Sequence, residues 1–237
     1  MRIIFKSIGV LLLAAVVIAV ATVLYWIGVA LSYKHDAKRA VMYYLNDNYR
    51  GLEFKITNMH QGFFGGPFID RAFTASVETE INAKKVNFHV STDSQGKVRD
   101  YTDTLAKEKL RMDAEDDVRS EAKRLIPSLK GVYVEADYNA REGGSSPFTA
   151  YTRDMKWLSL RSISVSWTEE SDLTKADFMH KSVQLGQQLA AKGFDYWTIG
   201  TSYAVNGTTK MSIDLRPSEL DLPDDQLLEK VIIPTGQ

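Results

Sequence analysis

Cysteine is absent from all 237 residues of the chain, and its absence excludes several kinds of chemistry together. Without a thiol the protein has no disulfide, no thiolate metal site and no cysteine nucleophile. It also lacks the lipid-modified cysteine that anchors bacterial lipoproteins. We therefore expect any attachment to a membrane to be made by the polypeptide itself.

The chain also lacks a surplus of charge of either sign. Its 29 Lys and Arg residues and 30 Asp and Glu residues give a formal net charge of -1. No global positive field exists to attract phosphates, so we expect no nucleic-acid partner. With 44% hydrophobic and 25% charged residues the composition is that of an ordinary globular protein, and we expect the part outside any anchor to fold.

Signatures of catalysis and of metal or nucleotide binding are missing as well. The sequence has no nucleophile elbow, no His-Glu-x-x-His pair and no glycine loop for phosphates. Its histidines are too scattered to show the spacing of metal ligands; they are His35, His60, His89 and His180. One acidic cluster lacks the turn-forming glycine of a calcium loop and is better explained as a solvated helix face; it contains Asp113, Glu115, Asp116 and Asp117. We therefore predict no metal site, no cofactor and no catalytic residue.

One long segment near the N-terminus carries no charge. From Ser7 to Tyr33, a run of 27 residues, there is no Asp, Glu, Lys, Arg or His. A helix of about 20 residues already crosses the roughly 30 Å of a bilayer core. We therefore predict that residues 1–33 form a transmembrane signal anchor. Amphipathic rings at its two ends favour the headgroup layer, and the residues that we assign to this membrane interface are Phe5, Tyr25, Trp26 and Tyr33.

A cleaved signal peptide is the alternative interpretation of this segment. Ala19-Val20-Ala21 offers small residues at the spacing that a signal peptidase requires after an apolar core. Cleavage there would leave an apolar N-terminus from Val23 to Leu31 with no obvious place to pack. The uncleaved anchor is therefore favoured.

Basic residues flank the apolar run on both sides and contest its orientation. Arg2 and Lys6 precede the run. Within about 20 residues after it come Lys34, Lys38, Arg39 and Arg50. A short basic tail followed directly by an apolar segment is typical of signal-anchored chains. We therefore predict a single-pass protein of the cell membrane, with its N-terminus cytoplasmic and its C-terminal domains extracytoplasmic.

Residues 34–128 have the pattern of a first α+β domain. A one-sided distribution of apolar residues predicts an amphipathic helix from Asp36 to Asn48. Three or four antiparallel strands are predicted next, because apolar and polar residues alternate over the following 50 residues. A helix from about Asp103 to Ile126, with one apolar stripe, is predicted to close this domain before Pro127.

Residues 129–237 have the pattern of a second α+β domain. Strands are predicted around Gly131–Tyr138 and Arg161–Trp167, followed by a helix over about 172–192. Asp172 is a good N-cap for this helix, and Gly193 suits the position just past its end. A hairpin and a short helix from about Asp224 to Val231 complete the domain.

The parity of the apolar residues constrains two hairpins. In the first domain, apolar positions change from odd to even across residues 82–85, so the loop there must have an even length. In the second, apolar positions are odd on both sides of Asn206-Gly207. A two-residue turn would break that register, so we predict a three-residue loop with Gly207 left-handed, closing a bulge.

Short stretches of the first domain match a known family. They are the run Lys38 to Leu45, Phe54-Lys55-Ile56, Asn87-Phe88-His89-Val90 and Gly96-Lys97-Val98-Arg99-Asp100-Tyr101. On these stretches the chain resembles the YfjL-like group, small membrane-anchored proteins of unknown function found mostly in Gram-positive bacteria. The resemblance implies a bacterial envelope protein with two small extracytoplasmic α+β domains, and it offers no catalytic residues. The first domain also looks like cystatin-type and peptidase-propeptide modules, which implies protein binding or inhibition.

The predicted fold class is therefore α+β, an N-terminal transmembrane helix followed by two small units of antiparallel sheet plus helix, cystatin-like or YfjL-like. The segment from Gly62 to Phe68 carries three Phe residues in a flexible, glycine-rich context. We assign Phe63, Phe64 and Phe68 to a candidate contact loop. The alternative is that these rings pack under the sheet edge or near the membrane.

The function that these patterns favour is a non-catalytic binding or regulatory module of the cell envelope. Its partners would be the lipid bilayer, through the N-terminal helix, and an envelope or membrane protein. An envelope enzyme is an alternative, with an acid/base pair drawn from separated residues such as Glu135, Asp137 or Glu169. A subunit of a larger membrane complex is another.

Overall fold

The protein is an α+β chain with a long apolar helix at its N-terminus, as the sequence predicts. The structure, a computed structural model, describes residues 2–61, 72–98, 103–139 and 149–234. The chain divides into two compact units, Met1–Thr104 and Leu105–Gln237. The first contains a three-stranded antiparallel sheet and the second a four-stranded mixed sheet.

Helix α1 is continuous from Arg2 to Asn48. The predicted anchor and the predicted amphipathic helix are therefore one element of 47 residues, about 70 Å long at about 1.5 Å per residue. No proline or glycine interrupts the chain between Gly28 and the end of the helix. Of the side chains that are described on this helix, from residue 15 onward, the buried ones lie in its last turns and are Ala37, Val41 and Leu45. These three residues are spaced by four and so lie on one face.

The first unit places a three-stranded sheet against this face of α1. Its strands are β1 (Phe54–Gln61), β2 (Phe73–Ile81) and β3 (Lys84–Ser91), in the order β1-β2-β3. The inward side chains of β2 and β3 alternate along each strand and are buried; they include Phe73, Ala75, Val77, Val86, Phe88 and Val90. Strands β2 and β3 are joined by the two residues Asn82 and Ala83, both with positive φ, so the predicted even-numbered loop is confirmed.

The second unit has helices on one face of its sheet. Its helices are α2 (Leu105–Leu125), α3 (Lys175–Ala191) and α4 (Asp224–Lys230), with a short 3-10 helix at Pro217–Glu219. Its strands are β4 (Leu129–Tyr138), β5 (Leu158–Thr168), β6 (Tyr196–Val205) and β7 (Thr208–Leu215), in the order β4-β5-β6-β7. One continuous core joins α2 and α3 to the inward face of this sheet.

Helix α2 belongs to the second unit, which corrects the predicted domain boundary. We placed it at the end of a domain covering residues 34–128, but the structure divides the chain before Leu105. The apolar stripe of α2 enters the core of the second unit; it contains Leu110, Ala114, Val118 and Ala122. The sequence pattern identifies which face of a helix is apolar, but it does not identify the sheet that this face covers.

Strands β5 and β6 pair in parallel, so the second sheet is mixed. Helix α3 connects them and returns the chain to the end of the sheet where β5 began, as a parallel pair requires. The N-cap of α3 is Thr174, whose hydroxyl accepts a hydrogen bond from the N–H of Asp177 at 3.1 Å. Asp172, the predicted cap, instead forms an ion pair with Lys210 at 3.4 Å. Gly193 follows the helix with φ of +83°, as predicted.

The hairpin between β6 and β7 keeps the apolar side chains of both strands on one face, but by a different connection from the predicted one. Val205 pairs directly with Thr208, so the loop is the two-residue turn Asn206-Gly207, with φ values of 51° and 81°. The register then shifts between Tyr203 and Ala204. One extra residue is accommodated in β7 as a bulge, which restores the inward direction of the apolar side chains. The predicted three-residue loop is therefore wrong. The one extra residue that the parity of the apolar positions requires is present, but it lies in β7 and not in the loop.

Candidate functional site

The outward face of the second sheet consists mostly of small residues. Two adjacent rows cross all four strands at right angles to them, as the strand pairing defines. The first row is Gly131, Ser166, Ser202 and Ser212, and the second is Tyr133, Ser164, Gly200 and Asp214. With neighbouring strands about 4.8 Å apart, each row is roughly 14 Å long. We call these eight residues the serine face.

A shallow groove of about 350 Å³ follows the serine face. Two glycines keep its floor low. A Cβ atom at Gly200 would lie 2.6 Å from Oδ1 of Asp214, and one at Gly131 would lie 3.0 Å from Oγ of Ser166. Because the first distance is shorter than real Cβ contacts, the space that a side chain at position 200 would fill holds the carboxylate of Asp214 instead. A ligand in the groove would therefore meet this carboxylate at Gly200.

Two exposed aromatic rings lie on this sheet, Tyr133 within the serine face and Trp197 on β6, three residues before Gly200. Tyr133 is 55% exposed and Trp197 is 61% exposed. The guanidinium of Arg111 lies 5.4 Å from the centroid of Tyr133, and that of Arg161 lies 5.9 Å from the centroid of Trp197. Such cation–π contacts are attractive and hold the rings in place. Arg161 is itself positioned by an ion pair with Asp137 at 3.3 Å.

Each edge of this sheet is covered in part by other residues of the second unit. At the β4 edge, Arg111 and Arg119 of α2 donate hydrogen bonds to the carbonyls of Val134 and Val132, at 3.4 and 3.2 Å. At the β7 edge, the backbone of Ile232 exchanges two hydrogen bonds with Ser212, at 3.0 and 2.8 Å. A covered edge does not pair with strands of other chains.

The three carboxylates named for the enzyme alternative lie in two separate places. Glu135 accepts a hydrogen bond from the hydroxyl of Ser162 at 3.3 Å, and it lies with Asp137 on the exposed face of β4. Glu169 instead forms an ion pair with Lys181 of α3 at 2.5 Å. These three carboxylates therefore do not line one concave pocket.

Two other carboxyl groups in the second unit have lowered pKa values. A hydrogen bond from the hydroxyl of Thr152 lowers the pKa of Asp154, and the backbone N–H of Arg216 lowers the pKa of Glu219, assisted by Lys230. Both groups therefore favour the ionised form, whereas a general acid at neutral pH requires a raised pKa.

Two of the four histidines lie on one face of a sheet, but β2 separates their strands. His60 and His89 both lie on the outward face of the first sheet, on β1 and β3. The His60 ring nitrogen lies 2.9 Å from the Asn58 amide, and that of His89 lies 3.4 Å from the Ser76 hydroxyl. Within the described residues, no group of three or more His, Asp or Glu side chains is placed to hold a metal ion.

The predicted membrane-interface residues lie on α1. Tyr25 and Trp26 are 67% and 41% exposed, and their rings meet edge to face with centroids 5.9 Å apart. Tyr33 is half-buried. The side chain of Phe5 lies outside the described part of the chain, as do Phe63, Phe64 and Phe68, the predicted contact loop.

No single stretch of the sequence identifies the serine face. Its strongest signal is the alternation of Ser164 and Ser166 with buried apolar residues along β5. Small polar residues at every second position are ordinary for an exposed strand, so the pattern alone does not indicate a site. The ring of Tyr133 joins it only because the fold places β4 beside β5.

Comparisons with known proteins leave the chain without an assigned family. A scan against models of protein families found no match, and neither the search of curated proteins nor the search of solved structures found a similar protein. The resemblance to the YfjL-like group therefore stays a prediction.

Proposed function

We propose that the protein is a single-pass membrane protein of the bacterial cell envelope, whose two α+β units form a non-catalytic binding module outside the cytoplasm. We further propose that the serine face binds another protein of the envelope or its membrane. The observation that carries this proposal is the groove of the serine face, where the exposed ring of Tyr133 is held beside Arg111, with the exposed Trp197 three residues before Gly200 on β6.

The anchoring part of the proposal is supported by the first two-thirds of α1. This helix is long and apolar enough to cross a membrane, and none of its most apolar window is buried. Large apolar side chains are left in contact with the surroundings there, including Val17, Leu24 and Ile27 at 60%, 62% and 50% exposure. A surface of this kind is unfavourable in water and favourable in lipid.

The binding part is supported by the chemistry of the serine face. Trp, Tyr and Arg are the residues most enriched among those that contribute most to protein–protein affinity. Here Tyr133 and Trp197 are exposed, whereas large side chains other than Tyr133 are absent from the two rows of the serine face. A flat partner surface can therefore contact the groove while its own side chains pack against the two rings.

The binding proposal is tested by photo-crosslinking from the full-length protein in intact cells. A photoreactive phenylalanine analogue at position 197, and separately at position 133, is expected to give a discrete crosslinked product. The matched control is position 184, since Gln184 is exposed on α3 on the other side of the sheet. Absence of a product from both 197 and 133, or equal products from 184, would contradict the proposal.

The orientation is tested by adding protease to intact cells. Under the proposed topology the protease cleaves the part of the chain that follows Tyr33, while a tag fused before Arg2 is protected. Complete protection of the C-terminal units until the cells are permeabilised would place them in the cytoplasm and overturn this part of the proposal.

A further inference from the structure

A second groove, of about 360 Å³, lies between α1 and β1 in the first unit. Its helix side is formed by Leu31, Lys34, His35 and Lys38, and its strand side by Ile56, Thr57, Asn58 and Met59. The volume is within the range of about 300–1,000 Å³ that is usual for small-molecule sites. The groove has an apolar wall of Leu31, Ile56 and Met59 and a basic rim.

The basic rim carries uncompensated positive charge. Lys34 and Lys38 are one helical turn apart, so their side chains lie on the same side of α1. Within the described residues, neither they nor His35 has a carboxylate partner. Asp36 is two positions from each lysine and therefore points away from them. The rim is suited to an anion.

The position of the groove along α1 indicates which anion is available. Tyr33 ends the uncharged run and is an amphipathic ring of the kind that lies at the headgroup layer. Along the helix axis, Leu31 precedes Tyr33 by about 3 Å, and Lys34 and Lys38 follow it by about 1.5 and 7.5 Å, at about 1.5 Å per residue. If the uncharged run crosses the bilayer, Leu31 lies at the border of the acyl chains while Lys34 and Lys38 lie among the headgroups. The apolar wall then lies at the depth of the upper acyl chains of a phospholipid, and the basic rim lies at the depth of its headgroup.

We propose that this groove binds the headgroup of an anionic phospholipid, with its phosphate between Lys34 and Lys38 and its glycerol backbone against Leu31 and Met59. The proposal rests on the membrane insertion stated under the proposed function. It also explains why basic residues follow the apolar run on the side that we assign to the outside. These lysines bind lipid, whereas Arg2 and Lys6 precede the run and orient it.

The experiment uses the full-length protein in vesicles of phosphatidylcholine, alone or mixed with phosphatidylglycerol. Flotation with pure phosphatidylcholine vesicles, resistant to alkaline washing, measures insertion. Native mass spectrometry of protein released from the mixed vesicles measures which lipid is retained. We expect the wild-type protein to retain phosphatidylglycerol in preference to phosphatidylcholine. Loss of flotation would contradict the insertion itself, whereas flotation without any lipid preference would overturn the groove proposal alone.

Two variants locate the preference. Lys34→Gln with Lys38→Gln is expected to reduce it by at least about fivefold, the contribution of one lysine near an anionic surface. Asn58→Asp places a negative charge on the strand side and retains the acceptor for the N–H of Met59. It is expected to reduce the preference although both lysines remain. Unchanged preference in Asn58→Asp would mean that the helix charges act without the groove, and would overturn the proposal.

The matched control is Lys123→Gln with Lys192→Gln, which removes two exposed positive charges in the second unit and should leave the preference unchanged. An equal loss in this control would mean that net charge alone sets the preference, and would overturn the proposal. Circular dichroism before reconstitution verifies that each variant folds. Inorganic phosphate, compared with chloride at equal ionic strength, separates the two sources of phosphate. Specific displacement of the lipid by inorganic phosphate would assign the groove to a soluble ligand instead.

Discussion

The two units bury their sheets by different means. In the first, a three-stranded sheet is covered by the last turns of α1, a helix whose preceding turns are apolar and exposed. In the second, a four-stranded sheet is covered by α2 and α3, which begin and end within the unit. The second core is also larger and centres on Trp167, Phe178 and Tyr203, three fully or almost fully buried rings.

Because of this difference, we expect the folding of the two units to depend on α1 to different extents. Removing α1 from the first unit would expose the inward face of its sheet, so the unit needs the same helix that is apolar enough to span a membrane. The second unit supplies its own helices and covers part of each edge of its sheet. We therefore expect the second unit to fold without α1. Four predictions test this comparison, each by hydrogen exchange of the full-length protein in detergent, which reports on each unit separately.

The largest effect is expected from Trp167→Ala. Trp167 is fully buried, with ring centroids 5.6 Å from Phe178 and 6.3 Å from Tyr203. The cavity left behind should lower the free energy of unfolding of the second unit by about 3–5 kcal/mol. The first unit should keep its protection from exchange. The control is Trp197→Ala, an exposed tryptophan whose loss should change stability by less than about 0.5 kcal/mol. Loss of protection in both units would mean that they unfold together.

A smaller effect is expected in the first unit from Tyr49→Phe. The hydroxyl of buried Tyr49 donates to Oδ2 of Asp103 at 2.6 Å. Losing a hydrogen bond to a charged acceptor should cost about 1.5–3 kcal/mol. Tyr196→Phe is the matched change in the second unit, where the hydroxyl donates to the uncharged carbonyl of Gly186 at 2.9 Å. Its cost should be about 1 kcal/mol. A larger cost for Tyr196→Phe would contradict this order.

Alkaline pH should destabilise both units through their buried tyrosines. Burial raises the pKa of Tyr49, with a further contribution from Asp103, and burial raises the pKa of Tyr196 to about 12. Above pH of about 10 the unfolded chain loses these protons while the folded chain keeps them, so stability falls as pH rises. The loss per tyrosine is at most about 1.4 kcal/mol for each pH unit. Tyr49→Phe should remove this dependence from the first unit only, as measured by exchange between pH 10 and pH 11.

The smallest effects are expected at the two tight turns, which have the same backbone shape and different residues. Ala83 has φ of 61°, whereas Gly207 has φ of 81° at the equivalent position of the second unit. A side chain is unfavourable in this region, so Ala83→Gly should stabilise the first unit by about 0.5–1 kcal/mol. Gly207→Ala should destabilise the second unit by about 1 kcal/mol. Shifts of the same sign in both variants would contradict this explanation.

Local patterns predicted most elements of the fold. The stripe on α2, the alternation in β2 and β3 and the position of Gly193 each depend on residues close together in the chain, and each is confirmed. Errors occurred where distant elements compete. The parity argument required one extra residue in the β6–β7 hairpin, and tertiary packing placed it as a bulge in β7 rather than in the turn.

The candidate site was less predictable than the fold. None of the residues that we assigned to contacts from the sequence belongs to the serine face. A site on a sheet face combines residues from strands that are far apart in sequence, and here β4 and β6 are separated by β5 and by α3. Tyr133 lines one groove with residues of β5, β6 and β7 only through that pairing.

The sequence by itself determined the apolar N-terminal helix, the absence of thiol chemistry and the sequence of helices and strands. These follow from composition and from short-range periodicity, which need no knowledge of contacts between distant residues. The tertiary structure decided that α1 runs unbroken into the first unit, that α2 packs in the second, and that β5 and β6 pair in parallel. Each of these features depends on which apolar faces pack against each other. Burial stabilises any pairing of apolar faces, so a single pairing is selected only when all the elements pack together.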